Sequence, residues 1–297
     1  ELQGMKVMIE KEDFLREEEG KRESVDIMKK YQEYFLSHIK LKRPLRIVID
    51  SGNGSAGLFA PKLFRELGCK VFELYSEPNA TFPNHIPDPS DPHEMRDLID
   101  AVRKERADIG IGFDADGDRV GFVTEKGECI DSDLVLLLFA KDVLSRYPGK
   151  TVLYDVKTSQ LLGEFIPQYG GIPLMHRTGH APIKDTLRRN SDIMFAGEQS
   201  GHYFFVEDYF KIDDGLFAAG KMVELLSCQL GPFSSLFTDI PERIRTPELR
   251  LPCSDEVKFQ VIKTITEDLQ SKYPAVAIDG VRIQVTKTGW GIIRASN

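Results

Sequence analysis

The chain has 297 residues, of which 41% are hydrophobic and 29% charged, and its formal net charge at pH 7 is −8. This is the composition of a globular protein with two or three domains. The negative charge argues against nucleic-acid binding, because a phosphate backbone attracts a basic surface. No apolar run is long enough to span a membrane and no signal peptide is visible, so we expect a cytoplasmic protein that does not bind membranes.

The cysteines and histidines give no sign of a disulfide framework or a zinc motif. The four cysteines are far apart and form no CxxC pair, which favours buried thiols. They are Cys69, Cys129, Cys228 and Cys253. The six histidines include no HExxH motif, so a zinc site has little support in the sequence.

The amino-terminal segment predicts a strand followed by a helix. The apolar run Gly4–Ile9 is typical of a strand, and the stretch Glu17–Leu36 is charged and partly amphipathic. The strand has no earlier segment to pair with, and the last predicted elements stop abruptly at Asn297. We therefore expect the sequence to be a piece of a longer protein, cut inside a domain at both ends.

One pattern occurs twice: a strand that ends in aspartate, a polar loop, a helix closed by glycine and a second strand. The first copy begins with the strand Leu45–Asp50 and the small-residue loop Ser51–Gly57. The second copy begins with the strand Thr151–Asp155. Each copy has the order that a parallel βαβ unit requires, so we predict two similar α/β domains.

The other predicted elements surround these repeats. They are strands at Ala107–Phe113, Val120–Val123, Ile193–Phe195 and Tyr203–Phe205, and helices at Leu134–Leu144 with Ser132 as its cap, Leu216–Leu226 and Glu256–Lys272. Residues 241–252 are rich in proline and charge, which indicates a linker. Strands at Val281–Val285 and Gly291–Ile293 belong to a last unit that is too short to bury a core of its own.

Three aspartates alternate with small residues directly after the predicted strand Ala107–Phe113. They are Asp114, Asp116 and Asp118, and Arg119 follows at once. In a tight loop two such like charges ~4 Å apart repel by about 4 kcal/mol near a protein surface, so the cluster calls for a cation. All-oxygen ligands favour Mg²⁺ or Ca²⁺, and an arginine is a fork-shaped phosphate ligand. The competing interpretation is an ordinary Asp-Gly turn after a strand.

A second polar loop joins the strand that ends near Ala196 to the strand that begins near Tyr203. Glu198, Ser200 and His202 alternate in it, so their side chains would share one face of an extended loop. Glutamate and serine can bind vicinal sugar hydroxyls, and histidine can move a proton. The alternative is a polar hairpin turn.

Cationic residues cluster near the second strand-ending aspartate. Thr178 is a candidate helix cap and Pro182 fits the first helical turn. His180 and Lys184 lie four residues apart, so they share a helix face. Together with Lys157 they would place positive charge near the strand ends; the alternative is an exposed helix start with scattered charges.

Two further segments carry weaker signals. Arg294, Ser296 and Asn297, with nearby backbone N–H groups, would make an anion cradle, although a terminal tail is weak evidence. Residues 82–89 contain Pro83, Pro87 and Pro89, which predicts a rigid structural loop.

In this combination and order the motifs resemble the α-D-phosphohexomutase superfamily, most closely its bacterial phosphomannomutase/phosphoglucomutase branch. The most specific matches are DADGDR from Asp114, GEQSGH from Gly197 and RASN from Arg294. Weaker matches extend the resemblance over nearly the whole chain; they begin at Gly4, Asp50, Phe82, Asp155, Arg177 and Asp213.

The resemblance implies an α/β fold made of mixed α/β/α sandwich domains. Residues 1–25 would end the first domain, 26–128 form the metal-binding second domain, 129–240 the sugar-binding third domain, and 241–297 part of an α+β, phosphate-binding fourth domain. The family's phosphorylated serine lies just upstream of the segment that resembles Gly4–Lys6, so it would fall outside this sequence. We expect a monomer or a homodimer.

The resemblance also implies an activity. It is Mg²⁺-dependent interconversion of hexose 1-phosphate and hexose 6-phosphate, with mannose or glucose as the sugar. A phosphoserine would donate its phosphate to the substrate, and the resulting hexose 1,6-bisphosphate would return the other phosphate to the serine.

The resemblance assigns roles to five groups of residues. The Mg²⁺ ligands would be Asp114, Asp116 and Asp118. The residues near the transferred phosphate would be Lys6 and Arg119. The sugar would be bound by Glu198 and Ser200, and the general base would be one of His180 and His202. The distal phosphate would be held by Lys157, Arg294, Ser296 and Asn297.

Departures from the family pattern leave the substrate open. Gln199 stands where phosphomannomutases more often have methionine, and GEQSGH is similar to phosphoglucosamine mutases, which are the first alternative. The RASN and FPNH stretches favour the mannose/glucose enzymes. In the metal loop, Ala115 stands where the family more commonly has glycine, which still permits a turn.

A non-catalytic sugar-phosphate-binding protein is the second alternative, because the serine loop is absent. An aspartyl-phosphate phosphatase is disfavoured, since its aspartate pair belongs at the first strand of its domain.

Overall fold

The computed structural model describes residues 2–14, 20–207, 209–241, 243–246 and 248–295. Its contacts divide the chain into residues 1–34 and 35–297, a division that falls inside the second helix. None of the described helices combines the length and the apolar character needed to cross a lipid bilayer.

The regular secondary structure described in the first unit is helical. Helix α1 spans Leu2–Glu10, so the predicted strand Gly4–Ile9 is wrong. A strand without a partner leaves its backbone groups unpaired, whereas a helix pairs them within the segment. Methionine, lysine and leucine, which all occur in α1, are also good helix formers.

The predicted helix Glu17–Leu36 is correct only in its second half. Helix α2 spans Ile27–His38, and the described residues 20–26 before it are not helical. Asp26 accepts a hydrogen bond of 3.0 Å from the backbone N–H of Met28, which satisfies one of the first amides of the helix. Residues 15–19 lie outside the described residues.

The first sheet contains the first of the two predicted repeats. Its strand order is β2-β1-β3-β4-β5, with β1 to β3 parallel and the last two strands antiparallel. The strands are β1 (Arg46–Asp50), β2 (Lys70–Leu74), β3 (Ile109–Phe113), β4 (Val120–Thr124) and β5 (Cys129–Ile130), and the helices are α3 (Ala60–Glu66) and α4 (Arg96–Glu105). Gly110 lets α4 approach the sheet, because a Cβ there would lie 2.6 Å from Cγ2 of Val102.

The second sheet repeats this plan. Its order is β7-β6-β8-β9, with three parallel strands and an antiparallel fourth, so the prediction of two similar α/β units is confirmed. The strands are β6 (Thr151–Asp155), β7 (Ile172–His176), β8 (Ile193–Gly197) and β9 (Tyr203–Phe205), and the helices are α5 (Ser132–Arg146), α6 (Leu161–Gln168), α7 (His180–Arg189) and α8 (Gly215–Ser227). Ile183 and Leu187 of α7 pack into a core with Leu153, Ile193 and Phe204 of this sheet.

The last part of the chain is a small antiparallel sheet with one helix. The described part of the predicted linker contains no helix or strand. Helix α9 (Lys258–Gln270) and strands β10 (Ala275–Val276), β11 (Val281–Gln284) and β12 (Trp290–Ile293) follow, and none of the residues described in α9 is buried. The sheet is tied to the loop after β6 by Arg282, which donates to the carbonyl oxygens of Val156 (2.9 Å) and Thr158 (2.7 Å).

Two local predictions are wrong. The N-cap of α5 is Asp131, and Ser132 is the first helical residue, so the helix begins one residue earlier than its predicted cap implies. Cys69 is buried, but Cys228 and Cys253 are exposed. Cys228 follows the end of α8 and Cys253 lies in the irregular segment before α9, where the surrounding residues do not cover them.

The proline-rich loop 82–89 is attached to the carboxyl end of β1. His85 Nε2 lies 3.1 Å from Oδ2 of the buried Asp50, and its Nδ1 lies 4.0 Å from Oε2 of Glu94. Asn84 donates a 2.7 Å hydrogen bond to the side-chain oxygen of Asn53. These contacts agree with the structural role predicted for the loop.

The His85–Asp50 pair predicts a pH-dependent stability. The hydrogen bond with Asp50 raises the pKa of His85 to about 9, although burial opposes the charge. The pair therefore stabilises the fold fully below pH ~6.5, the ordinary histidine pKa, and the stabilisation is lost as the pH rises through 9. We expect His85→Gln to lower the free energy of unfolding by about 1–3 kcal/mol at pH 6 and by much less at pH 10.

Urea unfolding at the two pH values measures this difference. His93→Gln is the matched control, because the side chain of His93 is 64% exposed. An equal loss of stability at pH 6 and pH 10 in His85→Gln would contradict the prediction.

Candidate functional site

The loops at the carboxyl ends of the two sheets are joined by backbone hydrogen bonds. The N–H of Gly215, at the start of α8, donates to the carbonyl oxygen of Gly117 (3.1 Å). The N–H of Val120 donates to the carbonyl oxygen of Gly201 (3.2 Å). A Cβ on Gly215 would lie only 2.6 Å from the Gly117 oxygen, so the first bond requires glycine at this position.

The three aspartates after β3 lie together, as predicted. One carboxylate oxygen each from Asp114, Asp116 and Asp118 lies within 4.8 Å of the others. Asp114 is buried and accepts hydrogen bonds from the N–H of Gly117 (3.0 Å) and from the backbone N–H (3.1 Å) and Nε (2.8 Å) of Arg119. Burial raises the pKa of Asp114 to about 6, and the nearby charge of Asp118 adds to the increase.

This arrangement fits a hard divalent cation such as Mg²⁺. The donors are all carboxylate oxygens, which Mg²⁺ prefers. Burial is the main cause of the raised pKa of Asp114, and repulsion from the charge of Asp118 adds to it even with Arg119 bonded to Asp114. A cation held by the three carboxylates would remove that repulsion.

The second polar loop is a tight turn and not the extended loop that we predicted. The N–H of Glu198 donates to the carbonyl oxygen of His202 (3.0 Å), and the N–H of Gly201 donates to that of Glu198 (3.1 Å). Gly201 has a φ of +94°, which favours glycine. The three side chains still converge, because Nδ1 of His202 lies 2.8 Å from Oγ of Ser200 and 3.1 Å from Oε2 of Glu198.

His202 connects this turn with the three-aspartate loop. Its Nε2 lies 3.3 Å from Oδ1 of Asp118. Burial favours the neutral ring, but the hydrogen bonds with Asp118 and Glu198 outweigh it and raise the pKa of His202 to about 9. The same hydrogen bond lowers the pKa of Asp118. The candidate metal ligands and the candidate sugar ligands therefore form one continuous site.

The start of α7 is fixed by two buried carboxylates. Thr178 is not the helix cap: its hydroxyl donates to Oδ2 of Asp155 (2.9 Å), and Gly179 occupies the N-cap with a φ of 122°. The N–H of Gly179 donates to Oε1 of Glu198 (2.6 Å). Because Gly179 has no side chain to act as a cap, Glu198 reaches over from the neighbouring loop to satisfy its amide.

His180 and Lys184 share a helix face, as predicted from their spacing. Both contact Asp213, with distances of 3.1 Å from His180 Nδ1 and 2.8 Å from Lys184 Nζ. The rings of His180 and His202 are stacked, with their centroids 5.9 Å apart. This helix therefore adds an ammonium group and an imidazole ring beside the turn.

Two of the other predicted cations, Lys157 and Arg294, are paired with carboxylates, and Lys6 belongs to the first unit of the chain. Lys157 Nζ is 2.8 Å from Glu248, and Arg294 is 3.1 Å from Asp279. The backbone N–H of Thr178 also donates to Asp279, at 3.3 Å. Lys6 belongs to the first unit, where it pairs with Glu10 on α1. Ser296 and Asn297 lie outside the described residues.

Two acidic residues take part in the site although sequence reasoning gave them no role. Asp155 accepts bonds from Thr178 and from the N–H of Gln199 (3.1 Å), and burial raises its pKa to about 6. Its place at the end of a predicted strand was the available signal. Asp213 had only the short DDG match, which says nothing about its contacts with α7.

Comparison with known proteins finds relatives among the phosphoglucomutases and phosphomannomutases. The models for phosphoglucomutase/phosphomannomutase alpha/beta/alpha domains II and III match residues 28–127 and 131–244. A phosphomannomutase/phosphoglucomutase of Pseudomonas aeruginosa is 42% identical over 298 residues, which cover all of this chain and 64% of that protein. A probable phosphoglucosamine mutase of Methanothermobacter thermautotrophicus is 31% identical and covers 97% of this chain and 64% of that protein.

Solved structures of other proteins show the same similarity. A phosphoglucomutase/phosphomannomutase family protein of Burkholderia thailandensis superposes with a TM-score of 0.92 at 39% identity, over 99% of this chain and 63% of that one. An N-acetylphosphoglucosamine mutase of Aspergillus fumigatus, solved with GlcNAc-6P and magnesium, shares the fold with a TM-score of 0.53 at 14% identity, over 84% of this chain and 63% of that one. The chain thus spans less than two thirds of the length of these proteins, and within that span it belongs to the phosphoglucomutase/phosphomannomutase family.

Proposed function

We propose that this chain supplies the metal-binding and sugar-binding parts of a Mg²⁺-dependent phosphohexomutase. The enzyme interconverts hexose 1-phosphate and hexose 6-phosphate of mannose or glucose, through a phosphoserine and a hexose 1,6-bisphosphate. The observation that carries the proposal is the contact between Asp118 and His202, which joins the three-aspartate loop to the polar turn. In our proposal residues 26–128 bind the metal, 129–240 the sugar and 241–297 the distal phosphate, while residues 1–25 end the preceding domain.

Asp114, Asp116 and Asp118 would hold Mg²⁺. When bound, the ion supplies positive charge that offsets the charge of a transferring phosphoryl group. Arg119 is oriented by its Nε bond to Asp114, while one of its terminal nitrogens makes only a 3.6 Å contact with Asp88. A phosphate oxygen would readily replace that longer contact.

The polar turn would bind the sugar. The oxygens of Glu198 are held by Gly179 and His202, and each keeps lone-pair capacity for a sugar hydroxyl. Ser200 adds a hydroxyl that can donate or accept. His202 or His180 would accept the proton of the attacking hydroxyl, and His202, whose pKa is raised to about 9, would first have to release its own proton. His202 is the more enclosed of the two, with its side chain 14% exposed against 52% for His180.

The phosphate groups would be held by the cationic residues. Lys157 and Arg294, with Ser296 and Asn297, would bind the distal phosphate, and Lys6 would lie near the transferred one. Lys157 and Arg294 are now paired with Glu248 and Asp279, so a phosphate would have to replace these carboxylates. A phosphate dianion is the stronger partner for an arginine or lysine, which makes the exchange favourable.

Phosphoglucosamine mutase is the second candidate function. Gln199 in the turn and the 31% identity to a probable phosphoglucosamine mutase favour it. The higher identity to a phosphomannomutase/phosphoglucomutase favours mannose or glucose. Turnover of mannose, glucose and glucosamine 1-phosphates by the complete enzyme decides between the candidates. The highest kcat/KM with glucosamine 1-phosphate would contradict our choice of mannose or glucose. Turnover of none of the three would leave a sugar-phosphate-binding protein.

Removal of one metal ligand tests the metal assignment. In the complete enzyme we expect Asp116→Asn to lower Mg²⁺-dependent mutase activity at least ~100-fold, because the loop loses one of its three carboxylates. A coupled assay with glucose 1-phosphate measures the loss. Asp100→Asn, an exposed aspartate of α4, is the matched control and should retain activity. Activity of Asp116→Asn within a few-fold of the unaltered enzyme would rule out this ligand.

The sugar assignment is tested at Glu198. We expect Glu198→Gln to raise KM for the hexose phosphate at least ~10-fold, because an NH₂ donor replaces one of the two acceptor oxygens that Gly179 and His202 contact. Steady-state kinetics measure KM and kcat separately. Glu207→Gln, at an exposed position, should leave both unchanged. An unchanged KM in Glu198→Gln would place the sugar elsewhere.

A further inference from the structure

A second group of metal-ligand atoms lies beside the three-aspartate loop. One ligand atom each from Asp118, His202 and Asp213 lies within 4.8 Å of the others. Asp118 Oδ1 and His202 Nε2 are 3.3 Å apart. Two ligands at ordinary zinc distances in a tetrahedral site are separated by about 3.3 Å, so this pair already has suitable spacing.

His202 is oriented in the way that metal-binding histidines are. Its Nδ1 faces Oε2 of Glu198 at 3.1 Å and Oγ of Ser200 at 2.8 Å, and Glu198 is only 1% exposed. Histidines that ligate metals usually donate from the other ring nitrogen to a carboxylate, which fixes the tautomer and the ring. The arrangement directs Nε2 of His202 toward Asp118.

One of the two carboxylate oxygens of Asp213 lacks a hydrogen bond. Among the described residues its buried Oδ2 has no hydrogen-bond partner, and its contact at 3.1 Å is with Nδ1 of His180. The Asp213 side chain is 5% exposed, and its Oδ1 accepts a bond from Lys184. The carboxylates of Asp118, Asp213 and Glu198 contact Lys184, His180 and His202, and a metal ion that binds Nε2 of His202 would take the place of the proton on that nitrogen.

We propose that Asp118, His202 and Asp213 form a second metal site, which takes a borderline transition metal such as Zn²⁺ or Co²⁺. An imidazole nitrogen together with carboxylates suits these ions, whereas Mg²⁺ selects oxygen ligands. The site shares Asp118 with the three-aspartate loop, but Asp116 belongs only to that loop and Asp213 only to the second site. The proposal stands independently of the mutase activity.

This division of ligands makes the site testable by direct metal binding. The metal-free chain is titrated at pH 8 with Co²⁺, followed by visible absorption, and with Zn²⁺ in competition with a chromophoric chelator. We expect Asp213→Asn and His202→Gln to weaken Zn²⁺ binding at least ~10-fold and to abolish the Co²⁺ bands of a nitrogen-ligated site. Asp116→Asn is the matched control and should change the Zn²⁺ affinity less than ~3-fold while it weakens Mg²⁺ binding.

Imidazole ¹⁵N spectra of the unaltered chain remove any dependence on how the variants fold. Zn²⁺ should shift the Nε2 resonance of His202, which is assigned in the unaltered chain by through-bond correlations from its ring to its backbone. Zn²⁺ binding that survives Asp213→Asn and His202→Gln, or that Asp116→Asn abolishes, would place the ion in the three-aspartate loop and overturn the proposal. Zn²⁺ affinity weaker than millimolar, or an unshifted Nε2 resonance, would overturn it as well.

Discussion

The site depends on the ion pair between Asp118 and His202. Asp118 comes from the loop after β3 of the first sheet, and His202 from the turn after β8 of the second. Backbone bonds between Gly117 and Gly215 and between Val120 and Gly201 hold the same two loops together. Side chains that are distant in sequence thus meet where the carboxyl ends of the parallel strands converge, which is where open α/β sheets bind ligands.

Burial of carboxylates determines the rest of the geometry. An unpartnered buried charge costs several kcal/mol, so each acidic group at these strand ends has partners that fix its position. Asp114 is held by Arg119, Asp155 by Thr178 and Gln199, and Asp213 by Lys184. Burial is the main cause of the raised pKa values of Asp114 and Asp155, and a neighbouring carboxylate adds to the increase in each case.

The features that depend on local pattern could be predicted from the sequence. The two βαβ repeats have strong hydrophobic strands with clear loop signals, and the three aspartates are adjacent in sequence. The sequence predictions that are wrong have physical causes of two kinds. Gly4–Ile9 is apolar enough for a strand, but none of the strands in the described part of the chain pairs with it and it is helical. Thr178 looks like a cap, yet a buried aspartate from another strand binds its hydroxyl. Asp213 is distant in sequence from Asp118 and His202, so no motif search could have joined them.

The central claim is that the metal loop and the sugar-binding turn act as one site through Asp118 and His202. A double-mutant cycle in the complete enzyme tests it most directly, with kcat/KM for glucose 1-phosphate measured for Asp118→Asn, His202→Gln and the double variant. We predict strongly non-additive losses, with a coupling energy of at least ~1 kcal/mol between the two positions. Losses that add to within ~0.3 kcal/mol would show that the two loops act independently and would contradict the account.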